Sequence, residues 1–233
     1  MRAAGKFGGP KIFWPLAAAA MLAVLFVTTP LRYEIVAPGP AAVAEAARSL
    51  PERNTPGRLA SGFTYKPLKD TLRGGPEDHE AAAKAKLYTI ALQNEEALFK
   101  NARTAALTAF LDVKTIDDLN AAVALFEEAV AKARGRNRDL AENDLAAALL
   151  ARGRWTGEVA DYKRAFTYAD AVWKRTKMPE AAWNRAMALE ETNQEEAEAK
   201  AAWEEYLKLD PNSEWAQEAR GNLEDDTEFS TLR

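Results

Sequence analysis

The residues best placed for chemistry are acids standing side by side: Asp117-Asp118, Glu127-Glu128, Glu190-Glu191, Glu195-Glu196 and Glu204-Glu205. Two carboxylates share a proton or a metal only where they converge. All five pairs fall in helix-forming sequence, where neighbours point about 100° apart, so they read as solvated faces. The single histidine, His79, stands among Glu77, Asp78 and Glu80 and has no second imidazole or thiolate to complete a metal site. Gly74-Gly75 lacks the lysine and threonine of a phosphate loop. No serine sits in an elbow motif, and the chain has no cysteine, hence no thiol nucleophile, disulfide or thiolate metal site. The expectation is a chain with no catalytic centre, no metal and no cofactor, and so not an enzyme.

What remains is binding chemistry, and it needs a scaffold. Residues 179–215 supply the pattern. Pro179 suits a first helical turn, where a missing N–H costs nothing. Trp183, Ala186, Met187 and Glu190 follow at helical spacing, Thr192-Asn193-Gln194 breaks it, and Ala199, Trp203, Tyr206 and Leu207 resume it. Asp210-Pro211 ends the second helix, because proline cannot continue one. This stretch resembles a tetratricopeptide repeat: Trp183 takes the helix-A aromatic place, Ala199 and Trp203 the helix-B alanine and aromatic places, and Pro211 the closing proline. Met187 replaces a usual small residue and Tyr206 a usual alanine.

The frame repeats upstream. Ala165 and Ala169 lie 34 residues before Ala199 and Trp203, and Ala122 and Phe126 keep the same spacing 43 residues before Ala165. The longer step is expected to be taken up in a loop at Gly153-Arg154-Trp155-Thr156-Gly157. From Glu77 to Met178 there is no proline, and helices are expected at about 77–92, 95–111, 116–134, 138–153, 159–176, 179–192, 195–209 and 213–223. Asn94 and Thr115 read as N-caps, Thr115 with Asp118 as a capping-box variant, and Gly135 as a helix terminator. The expected fold is all-α: a tetratricopeptide-like right-handed α-solenoid of about four helical hairpins over 77–224. Each hairpin covers the next one's apolar flank. Residues 225–233 read as a polar tail.

Two further segments precede this body. Ile12 to Thr29 is 18 residues without a charge, about 27 Å as a helix, with Phe13 and Trp14 at its start. Arg2, Lys6 and Lys11 precede it with no acid. The positive-inside bias leaves 1–11 as a cytoplasmic tail and puts the rest outside the cytoplasmic membrane, single-pass. The rival, a cleaved signal peptide, wants a small-x-small site that Val27-Thr28-Thr29-Pro30-Leu31 does not offer. Residues 30–76 hold seven of the eleven prolines and read as a linker, with a short helix between Pro40 and Pro51. Within it, Phe63 and Tyr65 are apolar and alternate, so they are read as a docking patch. The net charge of −4 divides unevenly, the linker carrying seven bases against four acids and residues 77–233 a net −10. An acidic body argues against a nucleic-acid partner.

The segment "RLASGFTYKPL", then "RGGP", then "AAWNRAMALEE" and "AAWEEYLKLDPNSEWAQEA" resembles the middle region of bacterial CHAT-domain proteins, over roughly Arg53 to Leu223. In that family a membrane segment and tetratricopeptide repeats precede a caspase-like domain. The resemblance implies a membrane-anchored repeat region. No caspase-like domain follows in these residues, and the family's catalytic His and Cys have no counterparts, so its activity is not carried over.

Repeat arrays of this kind bind through the inner wall lined by helix A. In this frame Asn184, Arg185 and Glu191 face that wall, with Asn143 in the equivalent place of its own unit. An Asn-Arg pair can hold a peptide carboxylate or backbone amide through directional donors. Trp155, beside glycines, is a loop contact candidate. The functional expectation is a membrane-anchored scaffold for a protein or peptide partner. The alternative is a structural subunit of an envelope complex or a self-associating assembly.

Overall fold

A computed structural model describes residues 40–68, apart from 49, 51, 54 and 61, together with 102–192 and 196–231. The expected anchor at 12–29, the tail at 1–11, the helix at 77–92, Asn94, His79 and Gly74-Gly75 lie outside the described residues. No helix among the described residues is long and apolar enough to cross a membrane.

The described residues form eight α-helices and no strand: α1 Pro40–Ala47, α2 Ala102–Leu111, α3 Ile116–Lys132, α4 Gly135–Thr156, α5 Val159–Thr176, α6 Pro179–Thr192, α7 Glu196–Leu209 and α8 Glu214–Thr231. From α2 to α8 each helix packs on the next in sequence; α1 packs on α2, and α4 also on α6. Two-residue connections join α3 to α4, α4 to α5 and α5 to α6, short enough to force each neighbour to reverse direction.

Local chemistry explains these bounds. Thr115 caps α3 with a capping box: its hydroxyl accepts from the Asp118 amide, and the Asp118 carboxylate accepts from the Thr115 amide. The buried face of α3 is Leu119, Ala122, Val123, Phe126, Ala129 and Val130, three to four residues apart. Gly157 ends α4 at φ 76, the left-handed conformation that glycine adopts without strain.

Helix α4 differs from the rest. Ala141 to Ala151 are all buried, including Glu142, Asn143 and Asp144. It meets α3 and α5 along the chain, α6 across it, and the segment before α2 on its remaining side. The alanines at 141, 146, 147, 148 and 151 let all these elements approach one axis. The repeat positions Ala122, Phe126, Ala165, Ala169, Ala199 and Trp203 are likewise buried.

The structure departs from the sequence reading in four places. Helix α8 runs on to Thr231, through most of the stretch read as a polar tail. The longer repeat step is not a loop at 153–157: α4 runs on to Thr156 and is 22 residues against 14 for α6. Trp155 therefore lies in the last turn of α4, half-buried against the core. Gly153 is helical, and its lack of a side chain makes room for the Tyr162 ring, whose Cε1 would stand 2.8 Å from an added Cβ. Gly135 does not follow the end of α3, which stops at Lys132; at φ 54 it begins α4. Finally, residues 40–68 are no free spacer. Val43, Ala46, Ala47 and Leu50 join the core, and Arg53 and Leu68 meet in an isolated parallel bridge that closes the intervening chain into a loop.

Candidate functional site

The loop from Arg53 to Leu68, called the strap below, lies against α4, α6, α7 and α8. Its described residues form one bridge of their own, so most of their backbone polar groups need partners elsewhere. Helices α4 and α6 supply them. Asn143 and Asn184 occupy comparable places on α4 and α6 and are both fully buried. Each donates its Nδ2 to the Arg58 carbonyl at 3.0 Å. Asn184 Oδ1 accepts from the Arg58 amide at 2.6 Å, and Asn184 Nδ2 reaches Asn143 Oδ1 at 3.0 Å. One side chain thus reads both backbone groups of a single residue, as a neighbouring strand would.

Contacts continue on either side. Thr55 Oγ1 donates to the Ala147 carbonyl at 2.9 Å and accepts from the Gly57 amide. Trp183 Nε1 donates to the Pro56 carbonyl at 2.8 Å. Gly57 sits so close to α4 that an added Cβ would stand 2.6 Å from the Ala147 Cα. Ala60 donates its amide to Asp144 Oδ1 at 2.8 Å, while its carbonyl accepts from Arg103. Arg103 Nε in turn donates to Asp144 Oδ2 at 2.7 Å, so a buried ion pair clasps the strap at this point. Complete burial pushes the Asp144 carboxyl up; the Arg103 charge and the Ala60, Arg103 and Asn143 hydrogen bonds oppose that push.

Two strap arginines anchor the other side. Arg58 pairs with Asp210 at 2.7 Å and donates to the Tyr206 hydroxyl at 2.9 Å. Arg53 pairs with Glu218 and donates to the Thr55 and Lys66 carbonyls, tying the strap's two arms together. Both guanidiniums lie on the Trp215 ring, at 4.5 Å for Arg53 and 5.2 Å for Arg58. Trp183, Trp203, Tyr206 and Trp215 meet edge to face, and Tyr65 adds its ring to Trp215 at 5.2 Å. Burial raises the Tyr206 hydroxyl, so it keeps its proton as a donor to Asp210 at 3.0 Å.

The residues singled out from sequence divide accordingly. Asn143 and Asn184 come together under the strap. Phe63 and Tyr65 are half-buried against the helical core. Arg185 points elsewhere: it pairs with Asp170 of α5 and Glu205 of α7 and stacks on Trp173 at 4.6 Å. Its place one residue after Asn184 turns it about 100° round the helix. Glu191 is exposed and lies beside Tyr162, whose hydroxyl is pushed up to about 12, first by burial and then by the Glu191 charge. Arg53, Arg58, Arg103, Asp144 and Asp210 were not singled out. Nothing local in the sequence marks them: Arg53 stands between Glu52 and Asn54, and Asp144 follows Glu142 and Asn143. No group of three or more metal-binding side chains is found among the described residues.

The arrangement holds a bent loop through its backbone and reads an arginine at one position. Compared with known proteins, the chain matches no family model, no curated protein and no solved structure.

Proposed function

We propose that this chain is a membrane-anchored protein–protein interaction scaffold. Its body is a tetratricopeptide-like α-solenoid, tethered through residues 12–29, with a wall that holds a protein segment by its backbone. The observation that carries this reading is the joint grip of Asn143 and Asn184 on the backbone of one residue. Side-chain amides that pair with main-chain groups recognise a protein segment whatever its side chains, which suits a peptide-binding wall. The packing of α4 on both α5 and α6 supports the solenoid, as does the recurrence of buried small and aromatic residues on α3, α5 and α7.

The test uses the full chain in its own membranes. A photo-reactive amino acid at Leu209 or Glu214, exposed residues next to Asp210 and Trp215, is expected to give one discrete adduct with another protein. The chain should also sediment with membranes and resist alkaline extraction. No adduct from either position, with the chain in the soluble fraction, overturns the reading.

One observation favours the second reading, a structural subunit. The wall is already filled by the strap, and Tyr65 and Phe63 complete the core around it. A body finished in this way can pack permanently into a larger assembly through its outer helices. Sedimentation in mild detergent separates the two, because only the subunit reading requires a stable multimer.

A further inference from the structure

The strap is held as a ligand is held. Thr55, Pro56, Gly57, Leu59 and Ala60 are buried, yet the backbone around them is bonded mainly to side chains of α4 and α6 and to Arg103 rather than to other strap residues. Three positions in the run meet a matching feature. Thr55 caps the Ala147 carbonyl. Gly57 is the residue that the approach to Ala147 allows. Arg58 reaches Asp210 and Tyr206 and lies on Trp215. Together these read Thr55, Gly57 and Arg58, the pattern Thr-x-Gly-Arg, while Pro56 is held only through its carbonyl.

We propose that the wall formed by α4, α6, α7 and the start of α8 is a recognition groove for protein segments carrying Thr-x-Gly-Arg, and that the strap occupies it as a displaceable internal copy. This rests on the interaction-scaffold reading and names the partner class. The strap belongs to the same chain, so it acts at an effective concentration of about millimolar. A partner segment offering the same contacts is therefore excluded at micromolar levels while the strap is seated. It enters when the strap is unseated or when it makes further contacts of its own. The groove is closed by default, and opening it is the regulated step.

The experiment uses the full chain and a fluorescein-labelled peptide of residues 52–69, read by anisotropy. Gly57→Val in the chain blocks the seat of the strap but leaves every groove residue intact; Arg58→Glu does the same through repulsion from Asp210. Both variants are expected to bind the peptide at least ten-fold more tightly than the unaltered chain. A peptide carrying Arg58→Glu is expected not to bind. Three results overturn the proposal: folded variants that do not bind the peptide, an unaltered chain that binds it equally well, or loss of helical circular dichroism in both variants. An independent measurement on the unaltered chain is amide hydrogen exchange. Arg58 and Ala60 should exchange by local opening, well before the core of α4 and α6. Exchange at the same rate as that core overturns the proposal. A photo-adduct with a protein lacking Thr-x-Gly-Arg would leave the scaffold reading standing while removing this one.

Discussion

The amide of Arg58 and the side chain of Asn184 form a reciprocal pair: Oδ1 accepts from the Arg58 N–H at 2.6 Å, and Nδ2 donates to the Arg58 carbonyl at 3.0 Å. They are 126 residues apart in the chain. The pair closes because Asn143 fixes the Asn184 amide from behind, through Oδ1 at 3.0 Å. A buried amide with each of its polar atoms engaged has one orientation, so it selects one position of the strap.

Removing that amide should be costly. Asn184→Ala leaves the Arg58 N–H and Asn143 Oδ1 without these partners. It should lower unfolding stability by about 1–3 kcal/mol, the cost of a buried polar group left unsatisfied. Asn184→Asp should be at least as harmful, because a carboxylate cannot donate to the Arg58 carbonyl. Urea unfolding followed by far-UV circular dichroism measures both. Unchanged midpoints would mean that the grip contributes nothing.

The Arg103–Asp144 pair makes a sharper case. Asp144 is fully buried and holds Arg103 and the Ala60 amide at once. Asp144→Leu removes the Asp144 countercharge from the buried Arg103 guanidinium, and Arg103→Met removes the Arg103 countercharge from the buried Asp144 carboxylate. Each should cost about 3–5 kcal/mol. The double variant should cost clearly less than the two added together, since no unpaired charge remains. Strict additivity in a double-mutant cycle would show that the two groups do not act as a pair.

Gly153 tests how closely α4 and α5 pack. Alanine in a helix interior gains about 1 kcal/mol over glycine. Here an added Cβ would stand 2.8 Å from Tyr162 Cε1, and overpacking of this kind costs about 1–3 kcal/mol. Packing should win, so Gly153→Ala is expected to lower the melting temperature despite its better propensity. Trimming the ring in Gly153→Ala/Tyr162→Leu should recover part of that loss relative to Tyr162→Leu alone. A simple rise in melting temperature for Gly153→Ala would show that Tyr162 can move aside.

These sites show what could be read from sequence. Periodicity and capping report contacts along the chain, and they located the start of α3 at its capping box and the span of α6. They also located the buried alanines at 122, 165 and 199. They mislead where a residue is set by a distant partner. Gly153 looked like a breaker because its reason for being glycine is the Tyr162 ring across the helix pair. Helix α4 has little amphipathic pattern because neighbours cover it on every side, so its polar Asn143 and Asp144 resemble surface residues. Arg53 and Arg58 looked like solvated linker charges, since nothing local signals Glu218, Asp210 or the Trp215 ring.

Acid should loosen the strap at Asp210. Burial alone would raise this carboxyl, but hydrogen bonds from Arg58, Ser213 and Tyr206, with the Arg58 charge, outweigh it and hold it below its ordinary 3.8. A carboxyl with a depressed folded pKa favours folding only while it is ionised. Its contribution is complete above the unfolded value and fades as pH falls through the folded one. The stability difference between the unaltered chain and Asp210→Asn should therefore be constant from pH 8 to about 5 and shrink below about 4. Urea midpoints measured across that range check it. The comparison removes the opposing influence of Asp144, whose carboxyl burial pushes up and which both proteins share. A difference that persists undiminished at pH 3 would show that the Arg58–Asp210 contact does not depend on the carboxylate charge.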